Sequence, residues 1–114
     1  MLENRKSKRY HSIARVGIPG VLEEDIMLRN ISITGCCVQC LSVVDITANS
    51  EYEIKIEPES EAKIGNFTLP VECKWVRHSD DSSEIGFSIA GFPQGKTFQR
   101  YADYLAFRSQ FESS

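Results

Sequence analysis

The stretch FTLPVECKWVRHSDDSSEIGFSIAGF, residues 67–92, consists of two alternating runs separated by a polar turn. In the first run, Phe67 to His78, every second residue from Val71 to Trp75 is apolar. In the second run, Glu84 to Phe92, isoleucine and phenylalanine alternate with glycine and serine. Alternation with a period of two is typical of half-buried β-strands. Because the Asp-Asp-Ser-Ser segment between the runs favours a turn, the stretch predicts two strands that return on each other.

Four further strands are predicted upstream, separated by turn residues. Their expected ranges are Ile13 to Ile18, Glu24 to Ile31, Cys36 to Leu41 and Tyr52 to Glu57. In the second of these strands, the alternation places Asn30 on the same face as Ile26 and Leu28. Six short strands with closely spaced turns favour an antiparallel barrel over parallel βαβ units. The 114 residues therefore predict a single all-β domain, 1–114, whose barrel occupies residues 11–93.

The C-terminal segment, residues 96–111, has a helical rather than an alternating pattern. One stripe of this helix is expected to pack on the barrel. Its members are Phe98, Tyr101, Ala102 and Leu105. A second stripe lies roughly opposite, and it either wraps the edge of the barrel or contacts a downstream protein partner or a second copy of the chain. Its members are Tyr104, Phe107 and Phe111.

Basic residues are concentrated at the N-terminus, where residues 1–10 lack periodicity and predict a flexible arm. The first 15 residues hold five basic side chains and one acidic one, a balance of +4, whereas the whole chain carries −3. Residues 16–114 therefore sum to −7. A basic arm on an acidic body suits a compact anionic ligand. It argues against a long nucleic acid, which needs a broad basic face.

The remaining sequence features narrow the function classes. No apolar run reaches the roughly 18 residues that span a bilayer, and the start lacks the pattern of a secretory signal, so we expect a cytoplasmic protein without membrane insertion. Cys37 and Cys40 have C-x-x-C spacing, but alternation directs them to opposite faces, so we predict no metal site. No catalytic constellation occurs, and the acidic run 23–25 is typical of a solvated edge. We therefore predict no enzyme and no catalytic cofactor.

Two short motifs hold the polar groups most suited to a ligand. Arg5 and Arg9 form R-x-x-x-R, and Asn30, Ser32 and Gly35 form N-x-S-x-x-G where a strand meets a turn. A guanidinium grips a phosphate with two hydrogen bonds, reads a guanine edge or stacks on a purine. Asn30 and Ser32, at alternate positions, present an amide and a hydroxyl side by side. Taken singly, each motif also fits a simpler role, a solvated charge run or a hairpin turn whose polar side chains bind local backbone.

The order of these motifs, the strands that follow, the late Ile85-Gly86-Phe87 and the terminal helix resemble the PilZ family across nearly the whole chain. PilZ domains are small bacterial β-barrels that bind the second messenger cyclic di-GMP. The resemblance implies a six-stranded antiparallel β-barrel with a C-terminal helix, and a cyclic di-GMP molecule held between the arm and the barrel. Cys36 departs from the family pattern, which often has a second glycine or small residue there.

The resemblance also implies roles for the motif residues. The two arginines, Arg5 and Arg9, contact the guanine edges and phosphates, Asn30 and Ser32 hydrogen-bond guanine, and Gly35 permits the turn. Trp75 offers a stacking surface near the pocket, although its alternation with Val71 and Cys73 favours a place in the core. Arg77, two residues further on, is a secondary candidate.

The function implied by the resemblance is that of a receptor or adaptor. The arm becomes ordered over cyclic di-GMP and thereby changes the surface that a partner contacts. One alternative is a PilZ-like interaction module that binds no nucleotide, and the second aromatic stripe of the helix favours it. Another is a small nucleic-acid-binding barrel, against which the acidic body counts.

Overall fold

The structure of the chain, a computed structural model, describes residues 8–90 and 96–112. These residues form seven strands, one α-helix and a short 3-10 turn at Ser60–Ala62. The elements are β1 Tyr10–His11, β2 Arg15–Gly17, β3 Ile26–Ile31, β4 Gly35–Cys40, β5 Glu51–Glu57, β6 Phe67–His78, β7 Ser83–Ile89 and α1 Lys96–Glu112.

Strands β2 to β7 form a closed antiparallel barrel in the order β3-β2-β5-β6-β7-β4, and pairing between β3 and β4 closes it. The short β1 pairs with β3 along the same edge as β2, opposite the edge that pairs with β4. In this pairing Tyr10 faces Ile31 and His11 faces Asn30. The predicted first strand, Ile13 to Ile18, is shortened to β2, and β1 lies before its predicted start. The predicted fold, a six-stranded antiparallel barrel with a C-terminal helix, is confirmed.

Two irregularities reverse the alternation of side chains in the barrel wall. The β3–β4 register shifts between Leu28 and Asn30, and the β6–β7 register shifts between Cys73 and Trp75. A bulge adds one residue to one strand, so the side chains beyond it change face. Leu28 and Cys73 are fully buried, whereas Asn30 is half-buried and Trp75 is 40% exposed. The predictions that Asn30 continues the core face and that Trp75 fills the core are therefore wrong.

Helix α1 packs its predicted stripe against the barrel. Phe98, Tyr101 and Leu105 are buried in the hydrophobic core, and the Phe67 ring lies 5.7 Å from the ring of Phe98. On the second stripe, Tyr104 stacks on Tyr101 with 6.1 Å between the ring centroids. The other two rings of that stripe, Phe107 and Phe111, are 60% and 67% exposed.

A buried polar network fastens α1 to the strands. The hydroxyl of Tyr101 lies 2.6 Å from that of Ser12, and it donates a hydrogen bond of 2.8 Å to Glu59 Oε1. Arg108 pairs with the other carboxylate oxygen of Glu59 at 3.0 Å. Because Ser12 directly follows β1, the helix is attached to the part of the chain where the arm joins the barrel.

The predicted arm extends over residues 1–10, of which residues 1–7 lie outside the described part of the chain and Tyr10 belongs to β1. The predicted end of the last strand, at residues 91 and 92, also lies outside it. No helix within the described ranges is long and apolar enough to cross a membrane.

Candidate ligand-binding site

One row of paired residues crosses four strands of the barrel wall. Trp75 of β6 pairs with Gly86 of β7, Gly86 pairs with Cys37 of β4, and Cys37 pairs with Asn30 of β3. Neighbouring strands lie about 4.8 Å apart, so the row spans about 14 Å. Because its two middle residues have small side chains or none, the row forms the floor of a groove with larger groups at both ends.

This groove is an open cavity of about 520 Å³. Its polar and aromatic lining comes from both predicted motifs and from the β6–β7 hairpin. The lining residues are Arg9, Asn30, Thr34, Gly35, Cys36, Cys37, Lys74, Trp75, Arg77, Glu84, Gly86, Phe87 and Ser88. Three basic side chains face one acidic one among them, so the cavity suits an anionic ligand.

Arg9 links the two sequence motifs directly. Its Nη1 donates a hydrogen bond of 2.5 Å to Oδ1 of Asn30. Its Nη2 lies so close to Gly35 that a Cβ atom built there would be 3.3 Å away. The last residue of R-x-x-x-R therefore contacts the first and last positions of N-x-S-x-x-G. Arg5 lies outside the described residues, and its role remains a prediction.

Gly35 is needed for close backbone approach. A Cβ atom on Gly35 would lie 2.7 Å from the carbonyl oxygen of Phe87, closer than real Cβ contacts come. Its φ is not in the left-handed region, so the backbone itself does not require glycine. Glycine at this position therefore permits the close approach of strand β7.

Ser32 serves the turn between β3 and β4. Its Oγ accepts hydrogen bonds of 3.2 Å from the backbone N–H groups of Thr34 and Gly35, and it is 6% exposed. Ser32 does not line the cavity. The expectation that Asn30 and Ser32 present their polar groups side by side is therefore wrong, because the bulge directs Asn30 to the groove while the turn holds the hydroxyl of Ser32.

The indole of Trp75 packs against the backbone of β7 at Gly86. A Cβ atom on Gly86 would come within 2.2 Å of two indole atoms, Cε2 and Nε1. Only glycine at this position leaves room for the ring. The sequence analysis named Gly86 as part of the resemblance but missed its contact with the indole, although an isolated glycine inside a strand indicates a bulge or a close approach.

An ion pair borders the indole. The guanidinium of Arg77 lies 5.1 Å from the centre of the Trp75 ring and donates a 3.0 Å hydrogen bond to Oε1 of Glu84. The thiol of Cys37 lies 3.7 Å from Oε2 of the same carboxylate. Burial, and secondarily the neighbouring Glu84, raises the pKa of Cys37 to about 11, so this thiol stays protonated near neutral pH. The Arg77–Glu84 pairing follows from the hairpin, because its turn aligns these two residues.

A second cavity, of about 590 Å³, lies on another part of the barrel and contains no predicted site residue. Four acidic side chains line it, Glu23, Glu24, Asp25 and Glu57, against the basic Arg15 and Lys55. Although it is the larger of the two, its excess of negative charge makes it unsuited to an anionic ligand.

The four cysteines have free thiols. The three on β4 lie on the two faces of the strand that the alternation predicts. Cys36 and Cys40 belong to the core, whereas Cys37 lines the groove. Within residues 8–90 and 96–112, no three histidine, cysteine or acidic side chains are grouped to hold a metal ion.

The geometry thus defines a barrel with a largely basic groove between Arg9 and Trp75, and two solved structures share the fold. The inhibitor of motility MotI/DgrA of Bacillus subtilis aligns with a TM-score of 0.72 and 16% identity, over 99% of this chain and 54% of MotI. The PilZ domain of YcgR from Escherichia coli, solved with c-di-GMP, aligns with a TM-score of 0.69 and 10% identity, over 97% of this chain and 98% of that domain.

The chain therefore has the fold of a PilZ domain, and it spans about half the length of MotI. The resemblance that the sequence indicated is confirmed at the level of the fold. No protein-family model matches the chain, and no curated protein matches it.

Proposed function

We propose that this protein is a bacterial cytoplasmic receptor for cyclic di-GMP and acts as an adaptor rather than as an enzyme. The observation that carries the proposal is the cross-strand row from Trp75 to Asn30, with Arg9 fixed over its far end. The row joins an aromatic face, an open floor and a guanidinium in one groove. A cyclic dinucleotide offers the matching groups, which are purine rings and two phosphates.

Each end of the groove suits a different part of such a ligand. Trp75 provides a ring on which a base stacks once the Arg77 guanidinium, 5.1 Å from the ring centre, moves aside. Such a contact is worth about 1–3 kcal/mol per base. Arg9 provides donors for a phosphate or for the O6/N7 edge of guanine. The exposed Lys74 and Arg77 add positive charge along the same wall. The relative YcgR, whose PilZ domain was solved with c-di-GMP, supports this choice of ligand.

The arm converts ligand binding into a change of the surface that a partner contacts. Arg9 gives up its hydrogen bond to Asn30 in order to hold the ligand, and the predicted second arginine, Arg5, completes the clamp. The arm loses conformational entropy and gains charge-assisted hydrogen bonds in exchange. Because Ser12, directly after β1, is hydrogen-bonded to Tyr101, ordering of the arm also affects the position of helix α1 on the barrel.

Calorimetric titration with cyclic di-GMP tests the proposal, with GMP and cyclic di-AMP as competitors. We expect saturable binding of cyclic di-GMP, weaker binding of the other two nucleotides and quenching of the emission of the single tryptophan. A chain that shows no heat and no fluorescence change with any of them would refute the proposal.

The exposed rings of Phe107 and Phe111, which lie edge to face at 5.0 Å, favour a second candidate function. In it the domain is an interaction module that uses the end of α1 and binds no nucleotide. The same titration separates the two, since only the receptor responds to cyclic di-GMP.

A further inference from the structure

Glu84 is the one acidic side chain among the lining residues of the groove, and an anionic ligand gains nothing from it by charge alone. It occupies a defined place in the barrel wall. Glu84 pairs across the strands with Arg77, as Gly86 pairs with Trp75, and one cross-strand pair separates these two. Glu84 therefore lies about 6.8 Å along the strand from the residue beneath the indole, twice the rise per residue.

The carboxylate of Glu84 keeps part of its capacity to accept hydrogen bonds. Oε1 receives one from Arg77, and Oε2 has the weak thiol donor of Cys37 at 3.7 Å. An ionised carboxylate has about four acceptor positions and no donor. The side chain is 30% exposed, so its open positions face the groove rather than the core.

The two common purines differ in what they offer to such a group. The Watson–Crick edge of guanine presents two neighbouring donors, N1–H and an N2 amino hydrogen, which fit one carboxylate. The same edge of adenine presents the N1 lone pair beside its amino group, and this lone pair repels a carboxylate oxygen. Glu84 lies within reach of a base that stacks on Trp75, because it lies two residues from Gly86 on β7 and lines the same groove.

We propose that Glu84 selects guanine over adenine in the base that stacks on Trp75, an inference that rests on the proposed binding of a cyclic dinucleotide. Arg77 acts as a positioning residue. It holds the carboxylate beside the indole and offsets its charge, so the groove remains attractive to phosphates. The selection includes repulsion of the wrong base as well as attraction of the right one.

The test compares the affinities of wild type and Glu84→Gln for cyclic di-GMP and cyclic di-AMP by calorimetry. We expect the preference for cyclic di-GMP to fall by about tenfold or more, which corresponds to 1.4 kcal/mol. Glu53→Gln is the matched control, because Glu53 is an exposed strand residue that lines neither cavity. It is expected to keep the wild-type preference.

Arg77→Ala tests the positioning role. Because its guanidinium holds Glu84 and adds positive charge, its loss is expected to weaken the binding of both nucleotides and also to lower the preference for cyclic di-GMP, and an unchanged preference overturns that role. If the wild type binds cyclic di-GMP and Glu84→Gln lowers the preference by less than tenfold, only the proposed role of Glu84 is overturned. Failure of the wild type to bind cyclic di-GMP overturns the proposed function instead. Unchanged circular dichroism of each variant establishes that the barrel is intact.

Discussion

The indole of Trp75 rests on the backbone of Gly86, its cross-strand partner, so closely that any side chain at Gly86 would overlap the ring. This contact depends on the bulge that turns Trp75 out of the core and on a glycine at the facing position. It fixes the orientation of the only tryptophan in the chain. The groove therefore has a rigid aromatic end before any ligand arrives.

Replacement of Gly86 by alanine is expected to displace this ring. The new Cβ would lie 2.2 Å from the indole, so the ring must rotate away and binding of cyclic di-GMP is expected to fall. Crowding of this kind costs about 1–3 kcal/mol of stability. Tryptophan fluorescence, which should shift to longer wavelength, and calorimetry are the measurements. Gly65→Ala is the control, because no atom lies within 4 Å of a Cβ at that position. Equal behaviour of the two variants would contradict this account.

Arg9→Ala is expected to weaken cyclic di-GMP binding by about 2 kcal/mol, the value of a charged hydrogen bond. The loss corresponds to roughly thirtyfold in Kd. Arg29→Ala provides the comparison, since Arg29 is also exposed but donates to Gln39 and does not line the groove. Calorimetry measures the affinity of both variants for cyclic di-GMP. If the two affinities are similar, Arg9 does not contact the ligand.

Ser32→Ala is expected to affect stability more than binding. The substitution removes the Oγ acceptor that the backbone N–H groups of Thr34 and Gly35 share, and Gly35 is buried. A buried donor without a partner costs about 1–3 kcal/mol. Urea unfolding should show this loss, whereas the exposed Ser42→Ala should not. A large loss of affinity at unchanged stability would instead return Ser32 to the ligand.

The buried thiol of Cys36 is expected to make stability depend on alkaline pH. Burial raises its pKa from 9.0 to about 12, so above pH 9 the unfolded chain releases a proton that the folded chain keeps. Stability is therefore complete below pH 9 and falls as the pH rises toward 12, by up to about 1.4 kcal/mol per pH unit for one such group.

Urea unfolding at several pH values above 9 should show a shallower decline for Cys36→Ala than for the wild type. Val38→Ala is the matched control. Val38 is an equally buried residue of β4 without a titratable group, so its variant should lose stability but keep the wild-type pH dependence. Parallel pH curves for all three proteins would disprove the contribution of the thiol.

The double variant Phe107→Ser/Phe111→Ser tests the exposed end of α1. Because both rings are largely exposed, we expect the free energy of unfolding to change by no more than about 0.5 kcal/mol, as for other surface substitutions. Nucleotide affinity should also persist, while any concentration-dependent association seen by sedimentation should disappear. Gln110→Ser serves as a control on the same helix. Association that survives the double variant would place the contact elsewhere.

Local patterns were sufficient to predict most elements of the fold. The alternation in residues 51–57 and 67–78 and the helical spacing of Phe98, Tyr101 and Leu105 each follow from burial of one face. Asn30 and Trp75 show where this reasoning ends. A bulge depends on how two strands of different length are matched around the closed barrel, and no period within one strand records that match.

The candidate site divides in the same way. The sequence alone identified the chemical groups, namely the arginines of the arm, the amide of Asn30 and the glycine at position 35. Closure of the barrel determined which of them meet. It places Arg9 beside Asn30, leaves the Ser32 hydroxyl in the turn, and adds Gly86, Glu84 and Lys74 to the lining of the groove. The physical reason is that hydrophobic periodicity specifies which side chains are buried, whereas the register between distant strands specifies which exposed side chains become neighbours.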